Sequence, residues 1–276
     1  MDDTQIKEMV RARYGGIAAN SSSPSAASCC GQTGDDAFAE KARRVGYSDT
    51  ELGAVPEGAN LGLGCGNPQA IAAMRPGEVV IDLGSGAGFD CFLAAQQVGT
   101  SGRVIGVDMT HEMLAKAREN AGKIGAANVE FRLGELEHLP IADNTADVII
   151  SNCVINLVPD KAQVFREAFR VLKPGGRLAV SDVINVRPLP AELQADTALL
   201  CGCVAGAAPG TEIEAWLAAA GFTGVRITEK VESRAPISNW APGRGIEDYI
   251  VSAIIEARKP APDEAVACCE PSCCAD

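Results

Sequence analysis

Histidine and positive charge are both scarce in this sequence. His111 and His138 are the only histidines in 276 residues, so a metal site built mainly from imidazoles is excluded and a histidine general base is not expected. The 24 Lys and Arg residues face 36 Asp and Glu, which gives a formal net charge of −12. This excess argues against binding nucleic acid or an anionic membrane through bulk electrostatics and favours a small-molecule substrate.

Long apolar runs are also lacking, and no secretory leader is expected. The first eight residues contain no basic region followed by an apolar stretch, and no later segment approaches the roughly 20 apolar residues of a membrane span. We therefore expect a cytoplasmic protein that makes no membrane contact and is a monomer. With 47% hydrophobic residues, the chain can build one large α/β domain with extensions.

Cysteine, in contrast, is abundant, with eleven residues. In a chain of this size without a leader, they point to free thiols, metal binding or redox chemistry rather than to disulfides. The pair Cys29-Cys30 and the tail cysteines, at 268, 269, 273 and 274, lie in segments predicted to be flexible. The tail spacing suits capture of a thiophilic ion, although zinc capture or incidental oxidation explains it nearly as well. The others, in sequence typical of ordered structure, are Cys65, Cys91, Cys153, Cys201 and Cys203.

The chain divides into three parts by its pattern. Residues 1–75 form an extension with a short helix near Ile6 to Tyr14 and a serine-rich loop. Strands and helices alternate from Val79, with an insertion at 184–210 before the last helix and strands, so residues 76–258 form the main domain. Residues 259–276 are a proline-led, cysteine-rich tail predicted to be disordered. The strands are short apolar runs without alternation, which indicates a parallel sheet buried on both faces.

A glycine-rich turn follows the first of these strands. Asp82 lies on the strand, and the glycines after it are spaced as Gly84-x-Gly86-x-Gly88, where backbone amides at a helix start can approach a ligand. Asp108 ends the next strand, about 20 residues later, where a carboxylate can accept both hydroxyls of a ribose. Gly134-Glu135 follows the third strand, and a Lys-Pro-Gly-Gly motif at 173–176 precedes the fifth.

These four motifs, in this order, resemble class I S-adenosylmethionine methyltransferases. The resemblance implies a Rossmann-like α/β fold with a mostly parallel seven-stranded sheet, to which the N-terminal extension and the insertion add a cover. It also implies that Glu135 lies at the adenine edge and that S-adenosylmethionine is bound by Asp82, Gly84, Ser85, Gly86, Gly88, Asp108, Met109, Glu135 and Asn152.

Three cysteines flank this predicted cofactor site. Cys65 lies in a loop before the domain, Cys153 ends the fourth strand, and Cys203 lies in the insertion with Cys201 as an alternative. Thiolates select soft ions. No base is evident near the glycine loop, and arsenic(III) held by sulfur needs none because its lone pair can attack carbon without losing a proton.

Several segments carry a closer resemblance, namely RYG at 13–15, LGLGCGNP at 61–68, DMT at 108–110 and SNCVINL at 151–157. They resemble arsenite S-adenosylmethionine methyltransferases. That family implies that Cys65, Cys153 and Cys203 bind arsenic(III) and that Cys30, or its neighbour Cys29, joins in redox turnover. The expected substrate is arsenite or its thiol conjugate, with glutathione or thioredoxin as the reductant, and the expected role is detoxification.

Two other functions stay open at this point. The enzyme could methylate a small organic acceptor, with cysteines that only fill space, as we expect for Cys91 inside the first helix of the domain. Alternatively, the chain could sequester metalloids through its thiols and have a vestigial nucleotide site.

Overall fold

The computed structural model describes residues 1–20 and 34–262. Its helices are α1 Asp3–Asn20, α2 Gly34–Arg44, α3 Asp49–Gly53, α4 Gln69–Ala72, α5 Phe89–Val98, α6 His111–Ile124, α7 Lys161–Val171, α8 Ala191–Gln194, α9 Thr197–Leu200, α10 Gly210–Ala220 and α11 Arg234–Ile237. Its strands are β1 Val79–Leu83, β2 Arg103–Asp108, β3 Val129–Leu133, β4 Ala146–Asn152, β5 Leu172–Asn185, β6 Thr223–Lys230 and β7 Ile250–Arg258. Single 3-10 turns cover Ile155–Leu157, Val231–Ser233 and Ile246–Asp248.

The strands form one seven-stranded sheet in the order β3-β2-β1-β4-β5-β7-β6. Strands β1 to β5 pair with one another in parallel, whereas β7 is antiparallel to both β5 and β6. The predicted Rossmann-like, mostly parallel sheet is therefore confirmed. Alternate residues of a strand face opposite layers. On β1, for example, Ile81 packs in the layer with α7 and α10, whereas Val80 packs in the layer with α5 and α6.

The first helix is longer than its sequence indicates. Two glycines, Gly15 and Gly16, disfavour helix by about 1 kcal/mol each, which is why the pattern predicts an end near Tyr14. Packing offsets this cost. A Cβ at Gly15 would lie 3.0 Å from the Glu112 carboxylate, so glycine permits close approach of α1 to α6. Helices α2, α3 and α4 in the extension were not predicted, and the predicted serine-rich loop lies outside the described residues.

The insertion begins later than expected. Strand β5 continues to Asn185 because β7 pairs with it residue by residue from Arg177 to Asn185. The insertion, which we call the cover from here on, therefore starts after Asn185 and ends where α10 begins. It packs with α1 in a separate apolar cluster over the carboxyl ends of the central strands, with Val10, Leu199 and Val204 among its buried members. None of the helices in the described ranges combines the length and apolar character that a membrane span requires.

Candidate active site

A deep cleft lies at the carboxyl ends of β1, β2 and β4, beneath α1 and α2. Its empty space, including the mouth, is about 1220 Å³, and it is lined by the loops that follow these strands together with residues of the N-terminal extension. The three strands are adjacent in the sheet, so residues at their ends meet at one edge. The predicted residues that line the cleft are Asp82, Gly84, Ser85, Gly86, Asp108, Met109, Asn152 and Cys153.

The glycine loop forms the floor of the cleft. Gly84 has φ +72°, and a Cβ there would lie 2.3 Å from the Val154 side chain, so only glycine fits. Gly86 has φ +52°, and nothing lies within 4 Å of the position its Cβ would take. This open space next to backbone amides is a cradle into which a ligand can settle.

Three carboxylates converge on this floor. The Asp108 carboxylate is oriented by the backbone N–H groups of Gly86, at 3.0 Å, and Thr110, at 2.8 Å. Burial raises the pKa of Asp108, and burial together with the Asp90 charge raises that of Asp82 well above its usual value. A cationic ligand would relieve this repulsion. S-adenosylmethionine carries a sulfonium and an ammonium group, so the donor set fits it.

Asn152 connects the floor of the cleft to the loop that contains Cys65. Its side-chain oxygen accepts a hydrogen bond from the Cys65 backbone N–H at 3.1 Å, and its amide donates to the Gly66 carbonyl at 2.8 Å. The same amide donates to the Asp90 carboxylate at 3.2 Å, which also accepts from the Tyr47 hydroxyl at 2.7 Å. Asp90 and Tyr47 line the cleft but were not predicted, although Asp90 opens the helix that follows the glycine loop.

Two predicted cofactor residues, Glu135 and Gly88, lie outside the lining of the cleft. Glu135 is not among the residues lining the cleft. Its carboxylate forms ion pairs with Lys7, at 2.7 Å, and Arg11, at 3.3 Å, which hold α1 against the domain, while Leu136 and Glu137 face the cleft. Gly88 does not line the cleft either. A Cβ at this glycine would lie within 2.9 Å of the rings of Phe92 and Phe131, so the residue allows close packing behind the loop.

Beyond Asn152, three thiols meet beneath the cover. The Cys65 Sγ lies 3.6 Å from the Ser181 carbonyl, and the Cys203 Sγ donates to the Cys153 carbonyl at 2.9 Å. All three residues are buried and unpaired by disulfides. Cys153 belongs to both compartments, because it lines the cleft and packs in the cluster under the cover. The tertiary structure thus brings the predicted arsenic ligands together next to the cofactor cleft.

Two of these cysteines have strained backbones. Cys153 has φ +58° and Cys203 has φ +63°, in the left-handed region that non-glycine residues rarely adopt. At Cys203 the chain leaves α9 through a bond from the Val204 N–H to the Leu199 carbonyl, a helix end that normally favours glycine. Strain of this kind, of order 1–3 kcal/mol, clusters at functional sites, and here it occurs at two of the three predicted arsenic ligands.

Two of the thiols, Cys65 and Cys153, have raised pKa values, which favours their protonated form. Burial raises the pKa of Cys65. The thiol of Cys203, the thiol of Cys65 and burial together raise the pKa of Cys153 well above its usual value. Neutral thiols at Cys65 and Cys153 avoid the repulsion that two neighbouring thiolates would create.

Asp182 lies beside the thiols and was not predicted. A carboxylate oxygen of Asp182 and the Sγ atoms of Cys65 and Cys153 lie within 4.8 Å of one another. Burial raises the pKa of Asp182 to about 6, although three donors and the Lys161 charge favour its ionised form. No motif marks Asp182 in the sequence; it lies near Cys153 because Ser181, its neighbour on β5, pairs with Asn152 at the end of β4.

The remaining cysteines have different surroundings. The Cys201 carbonyl accepts a hydrogen bond from Tyr14 at 3.1 Å, which ties the cover to α1. The Cys203 thiol, in contrast, donates to the Cys153 carbonyl at 2.9 Å, and this contact favours Cys203 over Cys201 as the third ligand. Cys91 donates to the Asp82 carboxylate at 3.2 Å from inside α5. Cys29, Cys30 and the tail cysteines lie outside the described residues.

Known proteins resemble the chain over most of its length. A family model described as a methyltransferase domain matches residues 74–221. An arsenite methyltransferase of Halobacterium salinarum is 53% identical over 95% of this chain and 69% of that protein. An arsenite methyltransferase of Aquipseudomonas alcaligenes is 42% identical over 81% of this chain and 64% of that protein.

A solved structure is also similar to this chain. The crystal structure of an arsenic(III) S-adenosylmethionine methyltransferase from Chlamydomonas reinhardtii superposes with a TM-score of 0.59 at 33% identity, covering 80% of this chain and 74% of that one. The family model spans more than half of this chain, and the halobacterial relative is matched over more than two thirds of its length. The chain therefore belongs to the arsenite methyltransferase family, within the class I methyltransferases.

Proposed function

We propose that this protein transfers a methyl group from S-adenosylmethionine to arsenic(III) bound by Cys65, Cys153 and Cys203. The observation that carries the proposal is the position of Cys153, which lines the cofactor cleft and also meets the other two thiols. One residue therefore joins the two compartments that the reaction requires. Membership of the arsenite methyltransferase family supports the choice of substrate.

The cofactor cleft would bind S-adenosylmethionine through groups that are already oriented. The Asp108 carboxylate, held by two backbone N–H groups, has lone pairs left for the ribose hydroxyls. Burial raises the pKa values of Asp82 and Asp90, and a cationic ligand beside them would favour their ionised forms and be held by them. When bound, the cofactor supplies an electrophilic methyl group.

The thiol cluster would hold the nucleophile. Arsenite exchanges its three hydroxyls for three thiols, and each exchange releases water, so the protonated state of Cys65 and Cys153 suits the reaction. Cys203 would give up its hydrogen bond to the Cys153 carbonyl when it binds arsenic. No histidine is found among the described residues that line the cleft, and burial raises the pKa of Tyr14 well above its usual value, which makes it a poor base. A nucleophile with a lone pair and no proton to lose fits these surroundings.

Holding the two reactants in alignment is the main catalytic contribution that we propose. Good alignment can supply roughly 7–11 kcal/mol of a barrier, and the contact between the Cys203 thiol and the Cys153 carbonyl already brings these two ligands together. Methylation of the lone pair formally oxidises arsenic, so release of a trivalent product requires two electrons. We propose that glutathione or the thioredoxin system supplies them, with Cys30 as the expected partner in the exchange, and that the role is detoxification.

Product analysis tests this function directly. The full chain is incubated with arsenite, S-adenosylmethionine and a thiol, and methylated arsenicals and S-adenosylhomocysteine are quantified. We expect the two products to form together, and to be absent from a Cys153→Ser variant that still binds the cofactor. Cofactor binding without arsenic methylation in the native protein would refute the proposal.

A further inference from the structure

Asp182 adds an oxygen ligand to two of the three thiols. Its carboxylate and the Sγ atoms of Cys65 and Cys153 lie within 4.8 Å of one another, and all three residues are buried. A tetrahedral zinc ion with Zn–S bonds of about 2.3 Å and Zn–O bonds of about 2.0–2.2 Å needs ligand atoms roughly 3.5–3.8 Å apart. The side chains therefore have to move inward by only about 1 Å to enclose such an ion.

The carboxylate is already oriented toward the thiols. One oxygen, Oδ1, accepts from the Val183 N–H at 2.8 Å and from the Asn156 side chain at 2.8 Å, whereas Oδ2 accepts from the Ile155 N–H at 3.0 Å. Because each carboxylate oxygen accepts two hydrogen bonds, Oδ2 keeps a lone pair for a further partner. Metal-binding carboxylates are commonly held by hydrogen bonds of this kind.

A positively charged side chain, Lys161, lies near the Asp182 carboxylate. Lys161 interacts electrostatically with Asp182 and donates to the Val158 carbonyl at 2.9 Å. A divalent ion with two thiolates is neutral, and the Asp182 carboxylate is balanced by Lys161. The buried cluster would therefore carry no net charge with the ion bound.

We propose that a thiophilic divalent ion, zinc or cadmium, binds between Cys65, Cys153 and Asp182. It would share two thiols with arsenic(III) but use the Asp182 carboxylate in place of Cys203. Ions of this class accept mixed sulfur and oxygen ligands, whereas arsenic(III) in the proposed function takes three sulfurs.

The two ions differ in the protons that they displace. Zinc binding forms two metal–thiolate bonds and releases the two thiol protons to solvent, with water completing the fourth position. Arsenite binding breaks three As–O bonds, forms three As–S bonds and releases three waters, with no net proton. The zinc site rests on ligand geometry alone. Its consequence, that zinc or cadmium competes with arsenite and inhibits methylation, rests on the proposed function.

Paired affinities test the assignment of the third ligand. The reduced, metal-free full chain is titrated with zinc against a chelating dye and, separately, with arsenite, in the native protein and in Asp182→Asn, Cys203→Ser and Cys65→Ser. Cysteines elsewhere in the chain contribute the same background to every variant. Cys65→Ser should lose the shared site for both ions.

The two other variants should show opposite preferences. Asp182→Asn should weaken zinc binding at least tenfold more than arsenite binding, and Cys203→Ser should weaken arsenite binding at least tenfold more than zinc binding, on the order of the effect of losing a metal-site partner. Equal losses for the two ions in Asp182→Asn, or zinc binding lost with Cys203, would overturn the proposal.

Cadmium NMR on the native chain decides the same point without depending on a folded Asp182 variant. With cadmium alone as the probe, we expect a resonance in the range of two sulfurs with oxygen ligands, absent from Cys65→Ser. A Cys65-dependent resonance in the three-sulfur range would refute the site. Failure of the proposed function looks different, because the native protein would then neither bind nor methylate arsenite, whatever its response to zinc.

Discussion

Replacing Gly66 by alanine should damage the arsenic site without filling the cofactor cleft. A Cβ at Gly66 would lie 1.8 Å from the Ser181 Oγ and 2.9 Å from the Ser181 Cβ. Ser181 cannot withdraw, because it is fully buried and pairs with Asn152 in the middle of the sheet. The loop that contains Cys65 must move instead.

The magnitude follows from the tightness of this contact. Overpacking of a buried site costs about 1–3 kcal/mol, so the free energy of unfolding should fall by that amount. A displacement of about 1 Å at a reacting group can cost roughly a hundredfold in rate, and Cys65 is adjacent to the altered residue. Gly66 and Ser181 do not line the cleft, so the affinity for S-adenosylmethionine should change far less than that for arsenite.

Compensating and control variants separate this cause from a general loss of stability. Ser181→Gly added to Gly66→Ala should restore arsenite binding, whereas Ser181→Ala should restore it only in part because its Cβ remains. Gly122→Ala is the control, since this exposed glycine in α6 has nothing within 4 Å of the added Cβ. Chemical denaturation and isothermal titration with both ligands provide the measurements. Native arsenite affinity in Gly66→Ala, or no recovery with Ser181→Gly, would refute the reasoning.

Three further predictions concern the ligands of the two compartments. Asp108→Ala should weaken S-adenosylmethionine binding by about 1.5–3 kcal/mol, the range for a charged hydrogen bond, and leave arsenite binding intact, as isothermal titration would show. Cys153→Ser should abolish arsenite turnover because a hydroxyl is a poor ligand for a soft ion, whereas Cys91→Ser, which keeps a donor to Asp82, should remain active in the same assay. Because the pKa values of Cys65 and Cys153 are raised, both thiols stay protonated near neutral pH, so arsenite affinity should be constant between about pH 6 and 8 while zinc affinity rises up to roughly a hundredfold per pH unit. Titrations at several pH values check this, and a steep pH dependence for arsenite would contradict it.

Much of the domain could be predicted from local patterns. Strand β1 begins at Val79, where the alternation of strands and helices is predicted to start, because short apolar runs depend on nearby residues. The glycine loop and Asp108 were also accessible, since a turn between a strand and a helix has its own chemical signature. The same reasoning stopped α1 too early at Gly15, where contact with α6 outweighs helix propensity.

The relation between the thiols depends on tertiary structure. Sequence resemblance singled out Cys65, Cys153 and Cys203, but their segments are separated by 88 and 50 positions. Their meeting requires that the cover, α1 and the loop held by Asn152 close over the same strand ends. Choosing Cys203 over Cys201 likewise required a backbone angle and a contact to Cys153, neither of which a pair of nearby cysteines reveals.

Glu135 and Asp182 also show which properties the sequence determines and which depend on tertiary structure. The sequence by itself determined that an acidic residue follows β3, but only the tertiary structure pairs the Glu135 carboxylate with Lys7 and Arg11 of α1. Asp182 has no motif of its own, and only the pairing of β4 with β5 brings it beside Cys153. Local patterns determine which elements form because their energetics are short-range, whereas the partners of a buried polar group depend on which distant segments the packed fold places against it.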